Sequence, residues 1–217
     1  VEKNLILCDQ IFADKFIQYR GFTSTFWGKL LSIPFLKTAI GRSADNKPYK
    51  PYIDAFLMLE FFKRSRRAGV FCESMYRWYQ YPSSITHTKL DGCFRQYPDY
   101  WCSAREYLLS YAPISKINED FLYAVYLSQV EGSFNDIFQA GLTISEKLLL
   151  LRELFQQPLW AETLARDADP QFRNLAARGE FVRQMKERVM ALPTTQKERC
   201  LAEAVVLEID KLPKKSQ

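Results

Sequence analysis

The sequence predicts an all-α protein, an irregular multi-helix bundle of about nine or ten helices within a single domain over residues 1–217. Three observations carry that prediction. The 217 residues include only 8 glycines, while 47% are hydrophobic and 15% aromatic, enough to build a core without disulfide or metal staples. Apolar residues recur at steps of three and four, and no window sustains period-two alternation between hairpin turns. Helix-start signals punctuate the second half, most clearly Thr143 with Glu146 and Thr195 with Glu198. No repeat of ~34 or ~40 residues emerges, which argues against a solenoid.

Taken in order, Leu5, Cys8, Phe12, Phe16 and Tyr19 mark one face of a first helix ending near Arg20 and Gly21. After Thr23 and Ser24, a helical pattern runs from Phe26 to Gly41, weakened by Gly28 and kinked at Pro34. Residues 43–50 read as a loop. Pro51 can open a third helix whose body, Tyr52 to Phe62, is apolar nearly all round, as expected of a central buried helix. That helix is expected to end at Arg66 to Gly69, with another from Val70 to Tyr81 stopping at Pro82. Residues 83–98 are the least regular part.

Asp99 is expected to cap a helix over Tyr100 to Tyr111, and Asn118 a long one reaching Ala140. Gly141 terminates it. Beyond lie a helix led by the Thr143 box, one from Gln171 to Leu192 started by Asp169 and Pro170, and one from Arg199 to Leu212 led by the Thr195 box. Residues 213–217 read as a frayed tail. A weak boundary near 113–118, where aromatic density falls, allows a subdivision into two helical subdomains.

Charge is the most uneven property. Residues 1–113 hold 16 Lys and Arg against 10 Asp and Glu, and residues 114–217 hold 14 against 15, so the whole net charge of +5 lies in the first half. Between Lys15 and Ala44 stand Lys15, Arg20, Lys29, Lys37 and Arg42 with no acid. Such a surface suits an acidic protein, a nucleic acid or an anionic membrane.

Two segments become candidate contacts. Trp27, Lys29, Lys37 and Arg42, set among Phe26, Leu30, Leu31, Ile33 and Leu36, have the make-up of a helix in a lipid interface or against a partner. The bland alternative is a core helix with snorkelling lysines. Lys63, Arg64, Arg66 and Arg67 can meet phosphates or a partner's carboxylates, and Arg77 and Trp78, with Tyr76, Tyr79 and Tyr81, supply planes on which bases stack. Cations in a helix's last turn also do no more than offset its dipole.

Catalytic and metal signatures are sparse. His87 is the sole histidine, which excludes sites built on two imidazoles. Cys72, His87, Cys93 and Cys102 match no common zinc spacing, and a Cys93 nucleophile with His87 as base and Asp91 as orienter is the remaining covalent arrangement. Carboxylate pairs such as Glu119 with Asp120, Glu131 with Asp136 and Asp167 with Asp169 read as capping and solvated groups. Phosphate-loop, dinucleotide and hydrolase-elbow motifs are missing. The run from Leu148 to Leu151, with Leu154, Phe155, Leu159 and Trp160, is more apolar than one stripe requires and marks either a core helix or a partner groove.

No stretch of about eighteen apolar residues occurs, so no bilayer-spanning helix is expected. The five cysteines are odd in number and lack a CxxC pair, which points to a reducing, cytoplasmic home. The segment Val1 to Asn4 has neither an initiator Met nor the features of a signal peptide, so a trimmed start is expected. These readings favour a non-catalytic helical interaction module, an adaptor or assembly component, with no cofactor and no metal. It would dock an acidic protein partner through apolar grooves and its basic N-terminal half. The alternatives are RNA or single-stranded nucleic-acid binding by residues 63–81, and peripheral association of residues 22–42 with an anionic membrane surface.

Overall fold

A computed structural model describes residues 5–8, 16–17, 33, 53–65, 67–70, 79 and 93–211 of the chain. The all-α class holds. Eight α-helices have both ends among the described residues, fewer than the nine or ten expected, and Phe16, Ile17 and Ile33 are also helical. The chain divides into two compact units, one of residues 1–88 and 99–118 and one of residues 89–98 and 119–217.

In the first unit a helix α1 spans Ile53–Arg64 and α2 begins at Tyr97 and runs to Leu109, its residues from Asp99 onward belonging here. Along α1, Ala55, Met58, Leu59 and Phe62 are buried, and no described side chain from Ala55 to Lys63 is exposed, as the all-round apolar pattern predicts. Ring edges knit the core: Phe56 meets Tyr100 edge-on at 5.7 Å, and Tyr107 contacts Phe16 at 6.0 Å and Tyr111 at 5.3 Å. The Tyr111 hydroxyl donates to the Phe62 carbonyl, satisfying an acceptor in the last turn of α1.

One element contradicts the helical reading. Leu5–Cys8 is a strand, β1, paired antiparallel with a second strand β2 at Arg67–Val70, in the register Leu5 to Val70, Ile6 to Gly69, Leu7 to Ala68 and Cys8 to Arg67. A continuous apolar run of four fits either period; of the later positions of the expected first helix Phe16 is described, and it is helical and buried. The helix expected to start at Val70 does not start there, and Tyr79 lies outside any helix.

The second unit is built around α3, Lys116–Gln139, whose residues from Glu119 belong to it. Six consecutive side chains, Leu122 to Leu127, are buried, with Val130, Phe134 and Ile137 below them. Ser115 rather than Asn118 starts this helix, because the Asn118 amide donates to the Ser115 Oγ at 3.3 Å. Against α3 lie α4 (Ile144–Phe155), α5 (Pro158–Ala165, with Pro158 in its first turn), a single turn α6 (Arg173–Ala176) and α7 (Arg178–Met190), while α8 (Gln196–Ile209) packs on α4 and α7. The expected helix from Gln171 to Leu192 is thus two, broken at Ala177. A short 3-10 turn, Cys93–Gln96, precedes α2, so Asp99 sits in the first turn of that helix instead of capping it.

The buried Trp160 donates its indole N–H to the Ile209 carbonyl at 3.2 Å, fixing the end of α8 against α5. Both predicted capping boxes form. Thr143 accepts from the Glu146 amide while Glu146 accepts from the Thr143 amide, and Thr195 and Glu198 repeat the pattern.

Hydrogen bonds from the Thr143 side chain and amide hold the Glu146 carboxyl below its usual 4.5, and bonds from Thr194 and Thr195 do the same for Glu198. Folding that depresses a carboxyl pKa is favoured above the unfolded value and loses that contribution as pH falls through the folded one. Thr143→Ala and Thr195→Ala are expected to cost about 1 kcal/mol each in urea unfolding near neutral pH. Glu146→Gln and Glu198→Gln should be felt at pH 7, and their effect should fade as pH falls through the depressed folded values, where the wild-type boxes themselves lose their charge.

Candidate interaction surfaces

Of the residues singled out in the basic cluster, Lys63 lies in the last turn of α1 and pairs with Glu60 at 2.9 Å, Arg64 ends the same helix, and Arg67 is exposed on β2 opposite Cys8. Lys63 is thereby partly neutralised by its own helix. Arg66, Arg77 and Trp78 lie outside the described residues, as do Trp27, Lys29, Lys37 and Arg42, and Cys72, His87 and Asp91. Two neighbours of these candidates are described: Ile33 is helical and 66% exposed, and Tyr79 is 64% exposed. Among the described residues no group of three or more His, Cys, Asp or Glu is placed to hold a metal ion. No described helix is long and apolar enough to cross a membrane.

The surplus apolar run over Leu148 to Trp160 is mostly core. Leu148, Leu151, Leu154, Phe155, Leu159 and Trp160 are buried, and Leu149 alone of the large apolar residues on α4 faces outward at 53% exposure. On α8, Leu207 is exposed likewise.

Carboxylates read from the sequence as solvated caps behave differently at one place. Asp120 is fully buried in the first turns of α3 and accepts from the Arg166 Nε at 2.7 Å and from the Asp169 amide at 2.9 Å. Arg166 also donates to Glu119 at 2.7 Å and lies 4.8 Å from the Tyr123 ring, whose hydroxyl donates to Glu162 at 3.1 Å. Burial raises the Tyr123 phenol, reinforced by Glu162. Burial alone would lower the Arg166 pKa, but the bonds to Asp120 and Glu119 outweigh it, so the guanidinium stays firmly charged.

A second guanidinium completes the arrangement. Arg178 donates to the carbonyls of Leu164 at 3.0 Å, Leu175 at 2.6 Å and Arg166 at 2.6 Å, collecting acceptors left at the ends of α5 and α6. This explains the break at Ala177: an Arg whose fork reaches back to Leu175 closes one turn and begins another helix. Sequence reasoning missed both arginines, because nothing in a spacing pattern distinguishes a guanidinium held by a buried carboxylate or by carbonyls at helix ends from one in solvent.

The cluster is chemically committed to structure. Asp120 spends both oxygens on a cation and an amide, and Arg166 answers two carboxylates, so this arrangement presents no poised base and no free anion receptor. Elsewhere on the second unit Arg183 is paired with Glu180 and Glu187, Lys186 with Asp210, Lys211 with Glu208, and Arg95 with Glu153. No protein-family model, curated protein or solved structure matches this chain.

Because charge-assisted bonds from a partly buried Arg are worth about 1.5–3 kcal/mol net, Arg178→Ala should lower stability by about 2–3 kcal/mol in urea unfolding. Arg178→Lys should recover less than half of it, since one ammonium cannot reach three carbonyls in a planar fork.

Proposed function

We propose that the chain is a non-catalytic, all-helical interaction module, an adaptor or assembly component of the cytoplasm, whose basic first half docks an acidic protein partner. The contrast in charge supports this most. In the second unit Arg95, Arg166, Arg183, Lys186 and Lys211 pair with that unit's own carboxylates, whereas the sequence of residues 1–113 holds 16 Lys and Arg against 10 Asp and Glu. An excess of one sign of charge steers encounter with an oppositely charged partner.

Tyr79 favours a second reading. An exposed ring outside any helix, two residues from Arg77, suits stacking of an unpaired base by the 63–81 stretch. Exposed Ile33, between Trp27 and Lys37, lends similar support to residues 22–42 lying on an anionic membrane.

The test is capture from the native host at moderate and at high salt, with protein and nucleic acid assayed in the same eluate. A single acidic protein, enriched by wild type and reduced more than about tenfold by combined Arg64→Glu, Arg66→Glu and Arg67→Glu at unchanged melting temperature, is the expected result. Nucleic acid released steeply by salt would transfer the role to the second reading. A large loss of stability in the triple variant would assign those cations to the helix end and strand.

A further inference from the structure

Residues 89–98 belong to the second unit, although the chain on both sides of them, up to Thr88 and from Asp99, belongs to the first. Within that segment Phe94 and Tyr97 are buried at 1% and 3% exposure. Its polar contacts go to residues far along the chain. Arg95 makes a bidentate pair with Glu153 on α4, the Tyr97 hydroxyl bonds to the Ser133 hydroxyl on α3 at 2.8 Å, and Gln157 at the start of α5 donates to the Phe94 carbonyl at 3.0 Å. Gln157 is itself oriented for that task, because the buried Tyr126 donates to its Oε1 at 2.9 Å and so turns its Nε2 toward the segment.

Two aromatic anchors, one charge pair and one backbone carbonyl read by a pre-set amide are the parts of a peptide-recognition site. The fit is incomplete at one position. Gln96 is buried and its Oε1 has no hydrogen-bond partner among the described residues, so the resident segment carries a desolvated acceptor for which α3, α4 and α5 offer no donor. The Arg95 and Glu153 side chains, by contrast, are 52% and 44% exposed, so their pairing is screened by salt.

We propose that α3, α4 and the start of α5 form a docking site for a protein segment of the pattern aromatic, Arg, apolar, Tyr, and that residues 94–97 are its occupant in cis. This rests on the reading of the chain as an interaction module and names a second surface for it, separate from the basic half. A partner segment with an apolar residue in place of Gln96 is better matched to the site than the chain's own segment and displaces it.

The probe is a fluorescein-labelled peptide spanning residues 91–99 with Cys93 replaced by Ser, titrated by anisotropy against the full chain carrying Phe94→Ala and Tyr97→Ala to vacate the site. Saturable binding is expected, weakened at least tenfold by adding Glu153→Arg, and about tenfold tighter for a peptide with Leu in place of Gln96. Wild type should bind at least tenfold less than the vacated protein. No binding at millimolar peptide by a vacated protein that keeps its helical circular dichroism, or binding indifferent to Glu153→Arg, overturns the proposal. Where the double variant does not fold, Arg95→Glu replaces it: peptide binding at least tenfold above wild type is expected, and no difference from wild type overturns the proposal. Loss of these peptide effects leaves partner capture by Arg64, Arg66 and Arg67 intact, and loss of that capture leaves peptide binding intact, so the two readings fail separately.

Discussion

A carboxylate removed from water must be answered in full, and the answer that Asp120 receives organises the second unit. With no solvent exposure, it costs several kcal/mol in lost hydration unless cation and hydrogen-bond donors converge on it. Arg166 and the Asp169 amide do so. Because both lie in the connection after α5, satisfying one buried charge at the start of α3 also fixes where that connection runs. Replacing the pair by apolar residues could match its stability, so its value lies in specifying one path for residues 166–172.

From that pinned connection the rest follows by the same accounting of backbone groups. The Arg166 carbonyl is one of three that Arg178 collects, which sets the start of α7. Asn174, in the turn between, donates to the Ala124 carbonyl at 2.7 Å and holds α6 against α3. Lys186 on α7 then reaches Asp210 at the end of α8, and Trp160 on α5 donates to Ile209 one residue earlier. These helix ends are thus tied to side chains of other elements. Polar specificity is laid over an apolar core that includes Leu122 to Leu127, Phe155 and Trp160.

What the sequence made legible were features carried by local spacing. The Thr143 and Thr195 boxes, the apolar body of α1 and the long helix ending before Gly141 all follow from residues within a turn or two of each other. The misses share a different physics. Leu5 to Cys8 became a strand through pairing with Arg67 to Val70, more than fifty residues away. Asp120, Arg166 and Arg178 look like ordinary helix-end charges until the chain brings them together. Asn118 looks as good a cap as Ser115 in sequence, yet it lies buried in the first turn. As for the candidate surfaces, Lys63 and Arg67 are partly accounted for by a neighbouring carboxylate and a strand pairing, while the 22–42 segment is described only at Ile33.

That the buried charges of the second unit are structural ties rather than working acids and bases is the claim on which the non-catalytic reading leans most. It is tested most directly by a double-mutant cycle in urea unfolding with Asp120→Asn, Arg166→Met and the two combined. The account predicts that Arg166→Met, which leaves the buried Asp120 carboxylate without its cation, costs about 3–5 kcal/mol, and that the pair together costs clearly less than the sum of the two, since Asp120→Asn removes the charge left unanswered. Single losses below about 1 kcal/mol that simply add would contradict it, and would mean that these groups are kept for something other than the fold.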